Sequence, residues 1–333
     1  MLTKRQNLIE TMKADGHPDR FVNQYEAFNL IMGSPFGLRN PNPKPGEENI
    51  VNAWGVTKSW PKGTPGAFPV HTPDKIVIKD IEEWQKYVKV PQVVYPAEEW
   101  EPWIKKFEEA DRNEQFATAY FAPGVFEQCH YLMEIQNCLM AFYEYPDERH
   151  ELINMITQFE IDYAVEFCKY CKPDALFHHD DWGTQISTFM SPDMFREFIK
   201  PAFTKIYKCW KDHGVQLIVH HSDSYAATLV DDMIDMGIDI WQGVMRTNNI
   251  PELVEKYKGR ITFMGGIDSA TIDYEGWTQE VVHDRVFEAC KVGPHSFVPS
   301  ASQGLPMSTY PGVYEATVVE IDNASKAYAD FFK

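Results

Sequence analysis

The sequence predicts one (β/α)8 barrel of the TIM type, with an N-terminal helix and a long loop insertion. Three observations carry that expectation. From about residue 116 onward, short apolar strands alternate with helical stretches, the pattern of parallel βα units. Each of the later strand candidates stops at polar or glycine residues. No glycine-rich phosphate fingerprint opens a helix, which favours a closed barrel over an open nucleotide-binding sheet. The 333 residues, 44% of them hydrophobic, suit a single decorated core, so one domain spanning 1–333 is expected.

The elements follow in order. Residues 3–14 read as a short amphipathic helix ended by Asp15-Gly16-His17-Pro18. Arg20-Phe21-Val22-Asn23-Gln24-Tyr25 reads as the first strand. Residues 33–75 are rich in Pro, Gly and Asn, contain Trp54 and Trp60, and read as a lid or an insertion. Helices are expected at 80–88 and 96–111, a strand at 116–121, and helices at 126–143 and 147–171. The second of this pair opens at Pro146-Asp147-Glu148, a good N-terminal signal. Strands are then expected at 175–177, 216–219, 238–241, 261–264 and 296–298.

Composition narrows the partners. A net charge of −18 repels nucleic acid and anionic lipid. No apolar run approaches the roughly 18 residues needed to span a bilayer, and no charged-then-apolar leader begins the chain. A soluble, cytoplasmic protein with neither a nucleic-acid nor a membrane partner is expected. Six cysteines are too sparse for a disulfide framework, which fits a reducing compartment. Cys168 and Cys171 fall inside a continuous helix and read as ordinary buried thiols.

A βα barrel carries its active site at the C-terminal strand ends. That rule selects Tyr25 and Glu26, Tyr120, His178 to Asp181, His220 to Asp223, Gln242 and Asp268. His221-x-Asp223 places an imidazole and a carboxylate where both can converge on one ion or proton. The pair is read either as part of a metal site or as a hydrogen-bonding pair without metal. In His178-His179-Asp180-Asp181 the adjacent carboxylates repel, which raises one pKa toward that of a useful acid; the alternative is a solvated polar loop. Trp182 and Gln185 add a flat ring and an amide.

Five stretches carry a family likeness: Pro18-Asp19-Arg20, Asp80-Ile81-Glu82-Glu83-Trp84, His179-Asp180-Asp181-Trp182-Gly183, Ser191-Pro192-Asp193-Met194-Phe195-Arg196-Glu197-Phe198 and Gly265-Gly266-Ile267-Asp268. On these residues the chain resembles the uroporphyrinogen decarboxylase superfamily, and within it the corrinoid-dependent methyltransferase branch. What remains looks like the first methyltransferase of anaerobic aryl-ether O-demethylase systems. The resemblance implies transfer of a methyl group from a methoxylated aromatic to the cobalt of a corrinoid (cobalamin) held by a partner protein.

On that reading Asp180, Asp181, His221 and Asp223 are the expected catalytic groups. Tyr25, Glu26, Tyr120, His179, Trp182, Gln185, His220, Gln242 and Asp268 are the expected substrate contacts. The branch binds zinc through a His-x-Cys and a later Cys. Those positions fall on His221 and Asp223, with the third near Ala301, so zinc stays open with His221 and Asp223 as its candidates. The stretch after Arg20 lacks the arginine pair that meets a porphyrinogen's carboxylates, which leaves decarboxylation as the alternative, alongside a non-catalytic corrinoid-docking barrel. A homodimer is compatible with the sequence, which does not select an assembly.

Overall fold

A computed structural model describes residues 1–333. Seven parallel strands form one curled sheet: β1 (Phe28–Ile31), β5 (Phe116–Phe121), β6 (Ala175–His179), β7 (Leu217–His221), β8 (Ile240–Val244), β9 (Thr262–Ile267) and β10 (Phe297–Ala301), in that spatial order. Three short antiparallel strands, β2 (Ile50–Val51), β3 (Thr57–Ser59) and β4 (Phe68–Pro69), make a second sheet inside the insertion. Helices lie between successive parallel strands, as right-handed βα crossovers require. The architecture is the expected TIM type, with one change.

That change is the first strand. Residues 20–25 are not a strand; β1 begins at Phe28 and pairs with β5 from Phe28↔Phe116 to Ile31↔Ala119. Residues 24–27 are turns, and this segment fills the space between β10 and β1 where an eighth strand was expected. The Gln24 amide donates to the Pro299 carbonyl at 3.3 Å, and the Ala301 amide donates to Gln24 Oε1 at 3.2 Å. Gln24 adopts a positive φ of 50°, which turns the chain out of a regular ladder.

The strands also run further than their apolar residues suggest. β6 and β7 each continue through a His-His pair, with His178↔His220 and His179↔His221 in register. Pleating therefore sends alternate histidines to opposite faces. Inside the barrel, Tyr25, Phe28, Phe116, Phe177, Val219, Ile240 and Met264 form a small inner core. Outside, a much larger apolar layer joins the strands to the helices.

Two other expectations shift. The helix expected at 126–143 breaks at Glu134, whose φ is 73°, giving Val125–Met133 and Ile135–Glu144. The insertion is only partly a surface loop: Trp54 is buried with its ring 4.8 Å from that of Phe159, on the helix Pro146–Cys171. Cys168 and Cys171 are buried thiols, as expected. No helix is long and apolar enough to cross a membrane.

Candidate active site

The inward-facing residues at the tops of β5 to β8 are Tyr120, His179, His221 and Gln242. The last three form a row across neighbouring strands, since His221 pairs with both His179 and Gln242. The two imidazoles stack with centroids 4.2 Å apart. His221 Nδ1 is hydrogen-bonded to Gln242 Oε1. An amide oxygen only accepts, so His221 carries its proton on Nδ1 and leaves Nε2 as a lone pair. That lone pair faces Asp181, with Nε2 3.8 Å from Oδ1. Asp181 Oδ1 also accepts the Asp223 amide at 3.0 Å.

His179 is oriented by a residue the strand-end rule overlooked. Its Nδ1 lies 2.8 Å from Oε2 of Glu127, a buried carboxylate in the first turn of the helix Val125–Met133. Burial alone lowers an imidazole pKa. Here Glu127, through charge and hydrogen bond, and then Asp181 and Asp223 outweigh it and raise His179 to about 10. His221 behaves in the opposite way: burial and the neighbouring His179 push it down to about 3. The two stacked imidazoles are thus biased in opposite directions, His179 toward the protonated form and His221 toward a neutral base or ligand.

The same three side chains could hold a metal. Ligand atoms of His179, Asp181 and His221 all lie within 4.8 Å of one another. Two imidazoles and a carboxylate are competent zinc donors, and each imidazole is held through Nδ1 by another side chain. The donor set fits. It replaces the expected pair of His221 and Asp223, because Asp223 stands exposed at the rim and it is Asp181 that faces the imidazole. Ala301, at the end of β10, offers no ligand atom.

Two further elements close over this cup. The segment after β10 crosses above it: the Gln303 carbonyl accepts from Tyr25 Oη at 2.7 Å and from Gln242 Nε2 at 3.1 Å. Gly304 lies directly on the imidazoles, for a Cβ there would sit 3.0 Å from His179 and 3.1 Å from His221. From the insertion, Lys58 on β3 reaches the ring of Tyr131, 5.3 Å to its centroid. Burial lowers the Lys58 pKa, and Glu127 opposes that shift.

The family model described as uroporphyrinogen decarboxylase (URO-D) matches residues 52–323. The chain belongs to the uroporphyrinogen decarboxylase family. Its fold is similar to that of a methyltransferase from Methanosarcina mazei, at a TM-score of 0.63 and 17% identity over 97% of this chain and 99% of that one. A putative vitamin-B12 independent methionine synthase from Listeria monocytogenes aligns at a TM-score of 0.38 and 15% identity over 70% of each chain, too low to bear on the argument. No curated protein matches the sequence.

In this member of the uroporphyrinogen decarboxylase family several expected site residues stand elsewhere. Asp180 is fully buried and caps a helix: its carboxylate accepts from Phe126 N at 3.0 Å, Glu127 N at 2.7 Å and Trp182 Nε1 at 3.0 Å. It presses so closely on Gly124 that a Cβ there would lie 2.6 Å from the Asp180 Cβ. Trp182 and His220 face the helices and stack on each other with centroids 3.9 Å apart. Neither can touch a ligand in the cup. Tyr25 and Tyr120 both pack on Phe177, at 5.9 Å and 5.8 Å, so Tyr25 belongs to the inner core while Tyr120 keeps a partly open edge.

The remaining three are peripheral. Glu26 precedes β1 at the opposite end of the barrel, beside Arg20 at 3.6 Å. Asp268 accepts the Arg246 amide at 3.1 Å in the loop after β9. Gln185 is exposed in the loop between Gly183 and Thr188. The sequence signal for Glu127 was available: an acid within one helical turn of Gly124, itself just past a strand end.

Proposed function

We propose that this chain is a methyltransferase that moves a methyl group from a methoxylated aromatic to the cobalt of a corrinoid protein. The observation that carries the reading is the buried His179–Glu127 pair, 2.8 Å apart, stacked against His221 in an acid-lined cup. Displacement at a methyl carbon needs no nucleophile from this chain, because cobalt(I) of the partner supplies the electron pair. The cobalt–carbon bond forms as the carbon–oxygen bond breaks, and cobalt is formally oxidised from (I) to (III). What the protein must manage is the departing phenolate, whose conjugate acid has a pKa near roughly 10.

His179 matches that task. Glu127 raises its pKa to about 10, toward the range of a phenol, so a proton can pass from its imidazolium to the ether oxygen as charge develops there. Glu127 stabilises the imidazolium beforehand and holds its orientation. Asp181 and His221 line the same cup, and the open edge of Tyr120 offers a surface for the ring. A zinc ion held by His179, Asp181 and His221 would act as a Lewis acid toward the ether oxygen instead.

The carboxylates of Glu127, Asp181 and Asp223 surround this cup, and no arginine is among its residues. A porphyrinogen's many carboxylates would meet repulsion there, which disfavours decarboxylation. The test is anaerobic incubation with cob(I)alamin and a panel of methoxylated phenols, following cobalt absorbance and phenol release. Equal amounts of methylcobalamin and phenol are expected. Formation of coproporphyrinogen from uroporphyrinogen, with no methyl transfer even to a corrinoid protein, would overturn the reading.

A further inference from the structure

A lysine carried by the insertion stands beside the acid-lined cup. Lys58 lies on β3, the middle strand of the small sheet, paired with Ile50 on one side and Pro69 on the other. The insertion is itself pinned to the helix Val125–Met133. His71 Nε2 donates to the Tyr131 carbonyl at 3.2 Å, and the amides of Val77 and Ile78 donate to the Leu132 carbonyl at 3.1 Å and 2.9 Å. Lys58 therefore projects from a backbone held on both flanks, so less conformational freedom is left to lose when its ammonium meets a partner.

That ammonium lies over the ring of Tyr131, 5.3 Å from the centroid. The Tyr131 hydroxyl donates to Glu127 Oε1 at 3.4 Å, and Glu127 Oε2 is 2.8 Å from His179 Nδ1. Lys58 and His179 thus flank one short relay, with Tyr131 and Glu127 between them. Yet the Lys58 ammonium makes neither a hydrogen bond nor an ion pair: Glu127 opposes its desolvation by charge at a distance only. The side chain is half-buried, and a cation–π contact offsets only part of the cost of taking an ammonium out of water.

We propose that Lys58 is a specificity-determining residue that receives a carboxylate carried on the substrate's aromatic ring. This inference rests on the proposed methyl transfer from a methoxylated aromatic and narrows its substrates to methoxylated aromatic acids. An ammonium is a compact point donor, which a single carboxylate satisfies through charge-assisted hydrogen bonds. The protein's own nearby carboxylate is already engaged, since Glu127 meets both Tyr131 and His179. A ligand with several carboxylates would gain this one contact and meet repulsion from Glu127, Asp181 and Asp223. A neutral ring would leave the ammonium half-buried and unpaired, which is how the site discriminates.

The experiment measures binding to the full chain by isothermal calorimetry. The ligands are 4-methoxybenzoate, its near-isosteric neutral amide 4-methoxybenzamide, and the same pair with the methoxy group at position 3. The unaltered protein should bind the acid about tenfold more tightly than the amide in at least one pair. In Lys58→Met, which keeps the length and removes the charge, that ratio should fall to about one. Lys58→Gln makes the same comparison should the Met variant fail to fold. Equal binding of acid and amide by the unaltered protein would overturn the proposal, as would a preference that survives loss of the charge. Failure of all four compounds to bind would overturn it too.

Methyl transfer to cob(I)alamin is followed separately, so that the two readings fail separately. Transfer from neutral ethers without a Lys58-dependent preference for the acid would overturn the assignment of Lys58 and leave the activity standing. Lys58-dependent binding of the acid without any transfer, even to a corrinoid protein, would support the assignment and count against the activity.

Discussion

Strands β6 and β7 end in the same dipeptide, His-His, yet the two histidines of each pair do different things. His179 and His221 face the cup, where they meet Glu127, Gln242 and Asp181. His178 and His220 face the helices, where they share Tyr207 and pack against Phe203. One residue of offset separates a pair that faces the cup from a pair that packs against the helices, because pleating alternates faces. Side-chain chemistry alone could not sort them; only the register does.

The comparison breaks most sharply under substitution of its two members on β7. Replacing His221 by Ala should lower methyl transfer by about 10³-fold, within the range for loss of a positioned acid–base or ligand group. The protein should stay folded, which circular dichroism and thermal unfolding would check. Replacing His220 by Ala should instead cost roughly 3 kcal/mol of stability, since it removes a stack and two buried hydrogen bonds. Urea unfolding would measure that loss. Equal stability in the two variants would mean that the outer pair is not structural.

The pH dependence of stability sharpens it further in metal-free protein. His178 is lowered to about 3 and His221 to about 3, chiefly by burial. Below about 6.5 the unfolded chain takes up protons that these folded groups refuse, so stability falls as pH drops from 6.5, by up to about 1.4 kcal/mol per pH unit for each. His179 has the opposite sign. Its folded pKa of about 10 adds stability that is full below 6.5 and lost as pH rises from there toward 10. Glu127→Gln should remove most of the alkaline loss, leaving the part due to Asp181 and Asp223, and leave the acid loss intact, as seen by chemical unfolding at pH 5.5, 7 and 9.

A smaller effect is expected at Gly304. A side chain there would lie against both inner imidazoles, so Gly304→Val should weaken binding of a methoxylated phenol by about tenfold, roughly 1.4 kcal/mol. Isothermal calorimetry would read it, with stability changed little.

Much of this arrangement was legible in the sequence. The alternation of strands and helices placed β5 to β10 within a few residues, and the strand-end rule named His179, Asp181, His221, Gln242 and Tyr120. The errors share one physical cause. His178-His179 and His220-His221 read as loop because they are polar, whereas both lie inside a paired ladder. That misreading placed His220 in the cup and, with Asp180 and Trp182, made buried packing residues into candidate ligands. The first strand failed for a related reason: Val22 packs into the inner core and Phe21 against Phe331 and Phe332, and neither pairs in the sheet. Glu127, Lys58 and Gly304 were hidden because they enter from a helix, an insertion and a crossing loop, which no strand-based rule surveys.

The most direct measurement compares His221→Ala with His220→Ala in one anaerobic assay of methylcobalamin formation from a methoxylated phenol, each protein held well below its unfolding temperature. The account predicts that His221→Ala is nearly inactive and that His220→Ala retains activity within about tenfold of the unaltered protein. A fully active His221→Ala, or a folded but inactive His220→Ala, would contradict it.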